Sequence, residues 1–266
     1  MATVAIIGAS QGIGFITANY LREQGHSVIG TSRKPKNETL WQLDVTDDSS
    51  IIAFTNRIRA ENIIIDAVVY NAGYDLYSAA EDTTFKDLMS QLDTNFLGAV
   101  RLTQAILPIM RQQGYGKLIY LSSIGGLMAL PFNSAYSASK FALEGYIESL
   151  RYELSPHNIA VSLIEPGQVK TDTLGTSIKS VDEISRYGVS SLVLAQNARD
   201  AGQQASLKPI TIARTIATII DHDAPKLRYL VGRQAKMVML LKQWLPERIF
   251  ERFIISQFVE PVLQQA

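Results

Sequence analysis

The chain has 266 residues, of which 47% are hydrophobic and 19% are charged, and its 25 basic and 25 acidic side chains give zero net charge. This composition is typical of a globular protein and gives no support to a nucleic acid partner. The absence of cysteine excludes thiol catalysis, disulfides and cysteine-based metal sites, and the three histidines are scattered without ligand spacing.

Short β-branched segments alternate with longer helical patterns along the chain. The predicted strands are Val4–Ile7, Ser27–Thr31, Trp41–Leu43, Ala67–Tyr70, Lys117–Leu121, Ala160–Ile164 and Arg228–Val231. The predicted helices are Gly12–Gln24, Asp48–Ala60, one long or two abutting helices over Phe85–Arg111, and Ser134–Leu154. Continuous apolar strands separated by helices indicate an α/β fold, a doubly wound (Rossmann) seven-stranded parallel sheet with helices on both faces.

We predict one domain over residues 1–266, and two of its segments have alternative interpretations. Residues 173–209 follow the sixth predicted strand and form either a substrate lid or a plain pair of surface helices. The C-terminal helices, at about 235–258, interleave apolar and basic residues. They contact a membrane surface or another subunit, or they are two short helices, broken at Pro246, that pack on the core or cover the lid. No signal peptide pattern and no run of about 18 apolar residues is present, so we predict a cytoplasmic protein without a membrane span.

A glycine-rich turn lies between the first predicted strand and the first predicted helix. Gly8, Gly12 and Gly14 have the spacing Gly-x3-Gly-x-Gly. The first glycine permits a tight turn, the second lets the backbone approach a pyrophosphate, and the third lets the helix pack closely on the strand. Because the helix N-terminus presents free N–H groups, the turn predicts a dinucleotide site, with an ordinary strand-to-helix turn as the alternative.

The end of the second predicted strand carries Ser32 and Arg33, and no acidic residue follows before Glu38. A site for NAD usually has an acid about 20 residues beyond the glycines, which binds the ribose hydroxyls. Arg33 can instead bind a 2′-phosphate through charge-assisted hydrogen bonds, and Ser32 can add another. We therefore predict NADP(H) rather than NAD(H), with a solvated basic turn as the alternative.

Tyr136 and Lys140 are four residues apart in a predicted helix, so their side chains lie on one face. A nearby ammonium and a positively charged nicotinamide would lower the tyrosine pKa from its usual value of about 10. Tyr136 could then pass a proton to or from a substrate oxygen. Ser123 follows the fifth predicted strand, at the sheet edge where ligands of such folds bind, and its hydroxyl could hold that oxygen.

One ordered set of motifs in this chain resembles the short-chain dehydrogenase/reductase family. The set comprises Gly8-x3-Gly12-x-Gly14, Asn71-Ala72-Gly73, Asn95, Ser123, Tyr136-x3-Lys140 and Pro166-Gly167. The resemblance extends from Val4 to about Thr173 and is weaker beyond it. Residues 127–145 look like those of the hydroxysteroid and retinol dehydrogenases.

The resemblance implies a role for each of these residues. Tyr136 would be the general acid/base, Lys140 would lower its pKa and bind the nicotinamide ribose, and Ser123 would orient the substrate oxygen. Asn95 would hold a water that links Lys140 to solvent. The implied cofactor-binding residues, besides Tyr136 and Lys140, are Gly8, Ser10, Gln11, Gly12, Ile13 and Gly14 in the turn, Ser32 and Arg33, Asp44 and Val45 beside the adenine, Asn71, Ala72 and Gly73 at the adenosine ribose, and Pro166, Gly167, Val169 and Thr171 at the nicotinamide.

Three residues depart from the family pattern. Ile7 stands where many members have threonine, Tyr70 replaces the first asparagine of Asn-Asn-Ala-Gly, and Gln11 takes a position that is often basic in members that prefer NADP. The alternatives to an oxidoreductase are a non-catalytic NADP(H)-binding regulator and a sugar-nucleotide epimerase or dehydratase. We expect an apolar carbonyl or alcohol substrate, steroid-, retinoid- or acyl-like, and a homodimer or homotetramer paired through helices Phe85–Arg111 and Ser134–Leu154.

Overall fold

The computed structural model describes residues 1–35, 38–170, 188–264 and the backbone of residues 178–179. Its strands are β1 (Thr3–Ile7), β2 (Ser27–Ser32), β3 (Leu40–Gln42), β4 (Ala67–Tyr70), β5 (Leu76–Tyr77), β6 (Gly116–Leu121), β7 (Ile159–Pro166), β8 (Ile178–Lys179) and β9 (Arg228–Val231). Seven of them form a parallel sheet in the order β3-β2-β1-β4-β6-β7-β9. The predicted sheet is thereby confirmed.

Helices connect these strands. They are α1 (Gly12–Glu23), α2 (Asp48–Ala60), α3 (Phe85–Leu92), α4 (Gly98–Gln113), α5 (Ser134–Leu154), α6 (Ser191–Gln204), α7 (Pro209–Asp221), α8 (Arg233–Trp244), α9 (Glu247–Ile254) and α10 (Glu260–Leu263). The segment predicted as one long or two abutting helices consists of α3 and α4, joined by a π-helical turn at Asp93–Leu97.

The central strands are buried on both faces, which explains their continuous apolar sequences. Successive side chains of a strand point to opposite faces. Ala5 and Ile7 pack in a core that includes residues of α2, α4 and α5, whereas Val4 and Ile6 pack with residues of α1 and α7. The helices therefore cover both faces of the sheet, as the sequence predicts.

The strand order reverses between β1 and β4, which are neighbours although they are not consecutive in the chain. In open α/β sheets, ligands bind beyond the carboxyl ends of the strands at such a switch point. The glycine-rich turn after β1 and the Asn71-Ala72-Gly73 motif after β4 meet at this place, so the fold brings the predicted cofactor residues to one edge.

The proposed lid at 173–209 lies partly outside the described residues. Within its described part, β8 pairs in parallel with β5 in a separate two-stranded sheet, and α6 follows. Neither of these two-residue strands is predicted from the sequence. Leu194 of α6 lies against the same cavity as the predicted site residues. The lid interpretation therefore remains a proposal with support from α6.

The C-terminal segment forms α8 and α9, separated at Pro246, the N-cap of α9, and continues through a π-helical turn into α10. Ala235 and Val262 are buried, whereas the large apolar side chains of Leu240, Trp244 and Ile249 are exposed. The buried residues thus support packing on the core, and the exposed apolar residues support contact with another surface. Within the described part of the chain, no helix is long and apolar enough to cross a membrane.

Candidate active site

The turn between β1 and α1 depends on the small size of its glycines. Gly8 and Gly12 have φ values of +84° and +57°, a region that favours glycine. A Cβ at Gly14 would lie 2.1 Å from the Gly8 carbonyl oxygen and 2.6 Å from Asn71 Nδ2. Asn71 Nδ2 donates to that same carbonyl at 2.8 Å. The turn is therefore packed so tightly that only glycine fits at its third position.

Two departures from the family pattern are compensated locally. Ile7 cannot supply a hydroxyl, but Thr31 Oγ1 on the neighbouring strand accepts a hydrogen bond from the Gly8 backbone N–H at 3.3 Å. The Tyr70 side chain is buried, and its hydroxyl donates to the Thr94 carbonyl at 2.6 Å. The turn and the centre of the sheet are thus braced by other residue types.

A cavity of about 1190 Å³ lies beyond the carboxyl ends of the strands. Most of the predicted site residues line it: Gly8, Ser10, Gln11, Gly12, Ile13, Ser32, Arg33, Asp44, Val45, Asn71, Ala72, Gly73, Ser123, Tyr136, Lys140, Pro166, Gly167 and Val169. Gly14 and Asn95 do not line it, and Thr171 lies outside the described residues. The residues for cofactor and chemistry therefore share one cavity, with a glycine cradle suited to the backbone approach of a pyrophosphate.

At the end of the cavity beyond β2, the exposed Arg33 is flanked by Ser32 and Lys34. The Ser32 hydroxyl accepts a hydrogen bond from the Lys34 backbone N–H at 3.3 Å, which leaves its own O–H to donate. The Asp44 carboxylate accepts instead from the backbone and hydroxyl of Thr46 at 3.0 and 2.8 Å. This arrangement offers two basic side chains and a hydroxyl to an anionic group.

Asn95 is fully buried in the π-helical turn between α3 and α4. Its Nδ2 donates to the Tyr74 carbonyl at 3.0 Å and to Ser139 Oγ at 3.2 Å, and its Oδ1 accepts from the Tyr74 backbone N–H at 3.1 Å. Ser139 Oγ in turn donates to the Tyr136 carbonyl at 2.7 Å. The Asn95 side chain thus joins the loop after β4 to α5, and both its amide hydrogens are used. Its water-holding role stays a prediction.

Tyr136 and Lys140 lie on the same side of α5, as their spacing predicts. Lys140 Nζ lies 5.7 Å from the centroid of the Tyr136 ring and donates to the Leu121 carbonyl at 2.8 Å. Ser123 Oγ accepts from the Gly125 backbone N–H at 3.0 Å, and its hydroxyl also interacts with that of Tyr136. The three side chains therefore form one cluster at the cavity wall.

Electrostatics in this cluster differ from the expectation for Tyr136. Burial lowers the pKa of Lys140 to about 8. Burial, and then the negative charge of Asp75, raise the pKa of Tyr136 well above its usual range, while the Ser123 hydroxyl opposes this shift. Without cofactor, Tyr136 thus holds its proton. The expected lowering by Lys140 is not seen in the chain without cofactor, because burial of Tyr136 and the facing Asp75 carboxyl determine its pKa.

Asp75 is the residue of this site that the sequence reasoning missed. It follows the Asn71-Ala72-Gly73 motif by two positions and lines the cavity. Its carboxyl group interacts with the hydroxyls of Tyr77 and Tyr136. Burial raises the pKa of Asp75, and the charge of Lys140 opposes that rise. The feature of the sequence that could have predicted this role is an acidic residue just after a motif at the sheet edge.

Two buried carboxyls, Glu144 and Glu165, share one guanidinium, and the charge of Glu144 also acts on Lys140. Arg228 Nε lies 3.2 Å from Glu144 Oε2 and 3.2 Å from Glu165 Oε1, and Arg228 Nη2 donates to Glu148 at 2.9 Å. Among the described residues, Oε1 of Glu144 and Oε1 of Glu165 lack hydrogen-bond partners. Burial, followed by the charge of Glu144, raises the pKa of Glu165 to about 8. Glu165 therefore keeps its proton at neutral pH in the folded chain.

This buried proton predicts a pH dependence of stability. Between the ordinary Glu165 pKa of 4.5 and the folded value of about 8, the folded chain holds a proton that the unfolded chain releases. Its contribution to the free energy of unfolding therefore falls as pH rises through this window, by up to about 1.4 kcal/mol per pH unit. We expect Glu165→Gln to flatten the pH dependence measured by urea unfolding. Glu153→Gln, at an exposed position of α5, should keep the wild-type slope, and an unchanged slope in Glu165→Gln would refute the assignment.

Comparisons with known proteins agree with this geometry. The family model for short chain dehydrogenase matches residues 2–182. A 3-ketodihydrosphingosine reductase of Bacteroides thetaiotaomicron is 35% identical over 256 residues, covering 93% of this chain and 94% of that protein. Human 17-beta-hydroxysteroid dehydrogenase type 1 is 34% identical over 251 residues, covering 85% and 76%. A short-chain dehydrogenase crystal structure from Streptomyces avermitilis has a TM-score of 0.77 at 29% identity, covering 95% of this chain and 100% of that one.

Proposed function

Because the chain belongs to the short-chain dehydrogenase/reductase family, we propose that it transfers a hydride between NADP(H) and the carbonyl or alcohol carbon of an apolar substrate. The family is one of oxidoreductases that bind a nicotinamide cofactor. The predicted resemblance to it, including its hydroxysteroid dehydrogenase members, is confirmed. The cluster of Tyr136, Ser123 and Lys140 in the cavity that also contains the glycine cradle is the observation that carries the proposal.

Tyr136, Ser123 and Lys140 have different roles in the proposed proton transfer. Bound nicotinamide supplies or accepts the hydride. Tyr136, protonated in the folded chain, donates its hydroxyl proton to the substrate oxygen in reduction and takes a proton back in oxidation. Ser123 Oγ accepts from the Gly125 N–H, and its hydroxyl, which also contacts that of Tyr136, can turn its hydrogen to hold the same substrate oxygen. Lys140 uses one ammonium hydrogen on Leu121 and keeps two for a ribose hydroxyl and for its effect on Tyr136.

Apolar side chains support an apolar substrate. Met128, Leu130, Phe132, Leu194 and Val262 line the cavity near the cluster. The relatives described above are named for a ketodihydrosphingosine and a hydroxysteroid, both largely apolar molecules. No observation favours the non-catalytic regulator or the epimerase. A panel of apolar ketones, followed by loss of NADPH absorbance, tests the proposal; absence of turnover across steroid, retinoid and acyl ketones would contradict it.

The preference for NADP(H) rests on Arg33. Arg33→Ala should weaken NADPH binding by roughly 10- to 100-fold, because a hydrogen bond to a charged group contributes about 1.5–3 kcal/mol. NADH binding should be unchanged, since NADH has no 2′-phosphate. Fluorescence titration with both cofactors measures the two affinities.

The matched control for this change is Arg111→Ala, at an exposed position in the last turn of α4 and outside the cavity lining. We expect it to bind both cofactors as the wild type does. A wild-type chain that binds NADH more tightly than NADPH would contradict the cofactor assignment.

We also propose a homodimer or homotetramer, a cytoplasmic location and a single domain over residues 1–266. Exposed Phe85 and Met89 on α3, and exposed Phe141 and Tyr152 on α5, support pairing through the predicted helices, because large apolar side chains in solvent often mark contact surfaces.

A further inference from the structure

Asp75 places a carboxyl group beside the proton-transferring phenol. It lies in the segment between β4 and β5, lines the cavity with Tyr77, Tyr136 and Lys140, and faces the two tyrosine hydroxyls. The proposed proton transfer does not use it. A carboxylate opposes formation of a phenolate on Tyr136, so Asp75 disfavours proton transfer from Tyr136 to a substrate. A residue that disfavours the proposed reaction indicates a separate function at this position.

The Asp75 carboxylate has no cationic partner within the described part of the chain. No lysine or arginine there lies within 4.0 Å of it in an ion pair. The charge of Lys140 acts on Asp75 from beyond ion-pair distance, and the Lys140 ammonium donates to the Leu121 carbonyl instead. Asp75 is half-buried at the cavity wall, and charges that are partly removed from water are normally paired, so this carboxyl is suited to a cation that arrives with a ligand.

The position of that cation follows from the proposed proton transfer. A substrate carbonyl oxygen that accepts from Tyr136 and Ser123 must lie at the Tyr136 hydroxyl, which is also the group that Asp75 faces. A substituent on the carbon next to the carbonyl is then the part of the substrate within reach of the carboxylate. The apolar wall of Met128, Leu194 and Val262 is left for the remainder of the molecule.

We propose that the substrate is an α-amino ketone, or the corresponding amino alcohol, with a long apolar chain, and that Asp75 binds its ammonium group. This inference rests on the proposed function and specifies its substrate class. The carbonyl carbon takes the hydride, its oxygen takes the Tyr136 proton, and the ammonium group takes no part in bond making. Asp75 is thus a specificity-determining residue.

Binding of the ammonium also affects the chemical step. Once paired, the Asp75 charge no longer raises the pKa of Tyr136, so the phenol becomes a better proton donor in reduction. A neutral ketone leaves the carboxylate unpaired and Tyr136 a weaker acid. The amine should therefore raise kcat as well as lower KM, which simple extra binding would not do.

The test compares a long-chain α-amino ketone with the ketone of the same chain length without the amine, and with the α-hydroxy ketone. Wild-type kcat/KM should be highest for the amino ketone, by roughly 10- to 100-fold, the value of a charge-assisted contact. Asp75→Asn should remove this preference, through lower activity on the amino ketone and higher kcat on the neutral ketone. Asp223→Asn, at an exposed site outside the cavity lining, should keep the wild-type preference.

Each outcome decides between the two claims. If the wild type reduces the neutral or hydroxy ketone as efficiently as the amino ketone, the inference is overturned and the proposed function stands. If the wild type reduces none of them but other ketones are turned over, the inference again fails alone; no turnover with any ketone removes both. The inference can also be tested without a variant, by measuring the affinity of the wild-type chain with NADP⁺ for the amino alcohol and for its deaminated analogue. Tighter binding of the amino alcohol supports the inference, and equal affinities overturn it.

Discussion

Replacement of Tyr136 by phenylalanine is expected to lower kcat by about 10²- to 10⁴-fold while NADPH affinity stays at the wild-type value. The change removes one oxygen atom, the proton donor of the proposed reaction, and keeps the ring that packs against Gly125. Stopped-flow measurement of NADPH oxidation under single-turnover conditions isolates the chemical step from product release.

The matched control for Tyr136→Phe is Tyr152→Phe on the same helix. The Tyr152 ring is exposed and its hydroxyl bonds only Glu148 among the described residues. Its loss should leave both kcat and NADPH affinity unchanged. A Tyr136→Phe variant with wild-type kcat would exclude Tyr136 as the acid, even if the chain proves to be an active reductase.

Replacement of Gly14 by alanine is expected to lower NADPH affinity by about 100-fold or more, the loss of about two hydrogen bonds to a charged group. The new Cβ would lie 2.1 Å from a backbone oxygen, so the turn must move, and with it the N–H groups at the start of α1. Overpacking of this kind also costs about 1–3 kcal/mol of stability. Isothermal titration with NADPH and thermal unfolding measure the two effects.

Gly145→Ala is the control for this steric argument. Gly145 lies in α5, and nothing lies within 4 Å of a Cβ built there. Alanine should stabilise this helix by about 0.5–1 kcal/mol and leave NADPH binding unchanged. If Gly14→Ala bound NADPH like the wild type, the turn would not be the cofactor cradle proposed here.

The sequence predicts the main sheet well because its strands are continuous apolar runs between helices. Ala67–Tyr70 and Arg228–Val231 match the observed bounds, and the helix Ser134–Leu154 does as well. The strands Leu76–Tyr77 and Ile178–Lys179 escape prediction, since two residues carry no periodicity. Their pairing depends on segments far apart in the chain, which meet only once the sheet is formed.

The sequence likewise predicts only part of the candidate site. Motif spacing predicts that Tyr136, Lys140 and Ser123 share one place, because helix geometry and the sheet edge fix their positions. The π-helical turn at Asn95 is not predicted, since a π turn shifts the register of a helix without a sequence signature. The motifs also do not predict the raised pKa of Tyr136. That rise results from burial and from the charge of Asp75, which lies near Tyr136 only in the folded chain.

Hydride transfer itself is tested most directly with NADPH that carries deuterium at both nicotinamide C4 positions and an apolar ketone that the wild type turns over. We expect mass spectrometry to find the deuterium on the carbinol carbon of the product alcohol, with the hydroxyl proton derived from solvent. A product alcohol without deuterium on its carbinol carbon would contradict hydride transfer from NADPH by this chain.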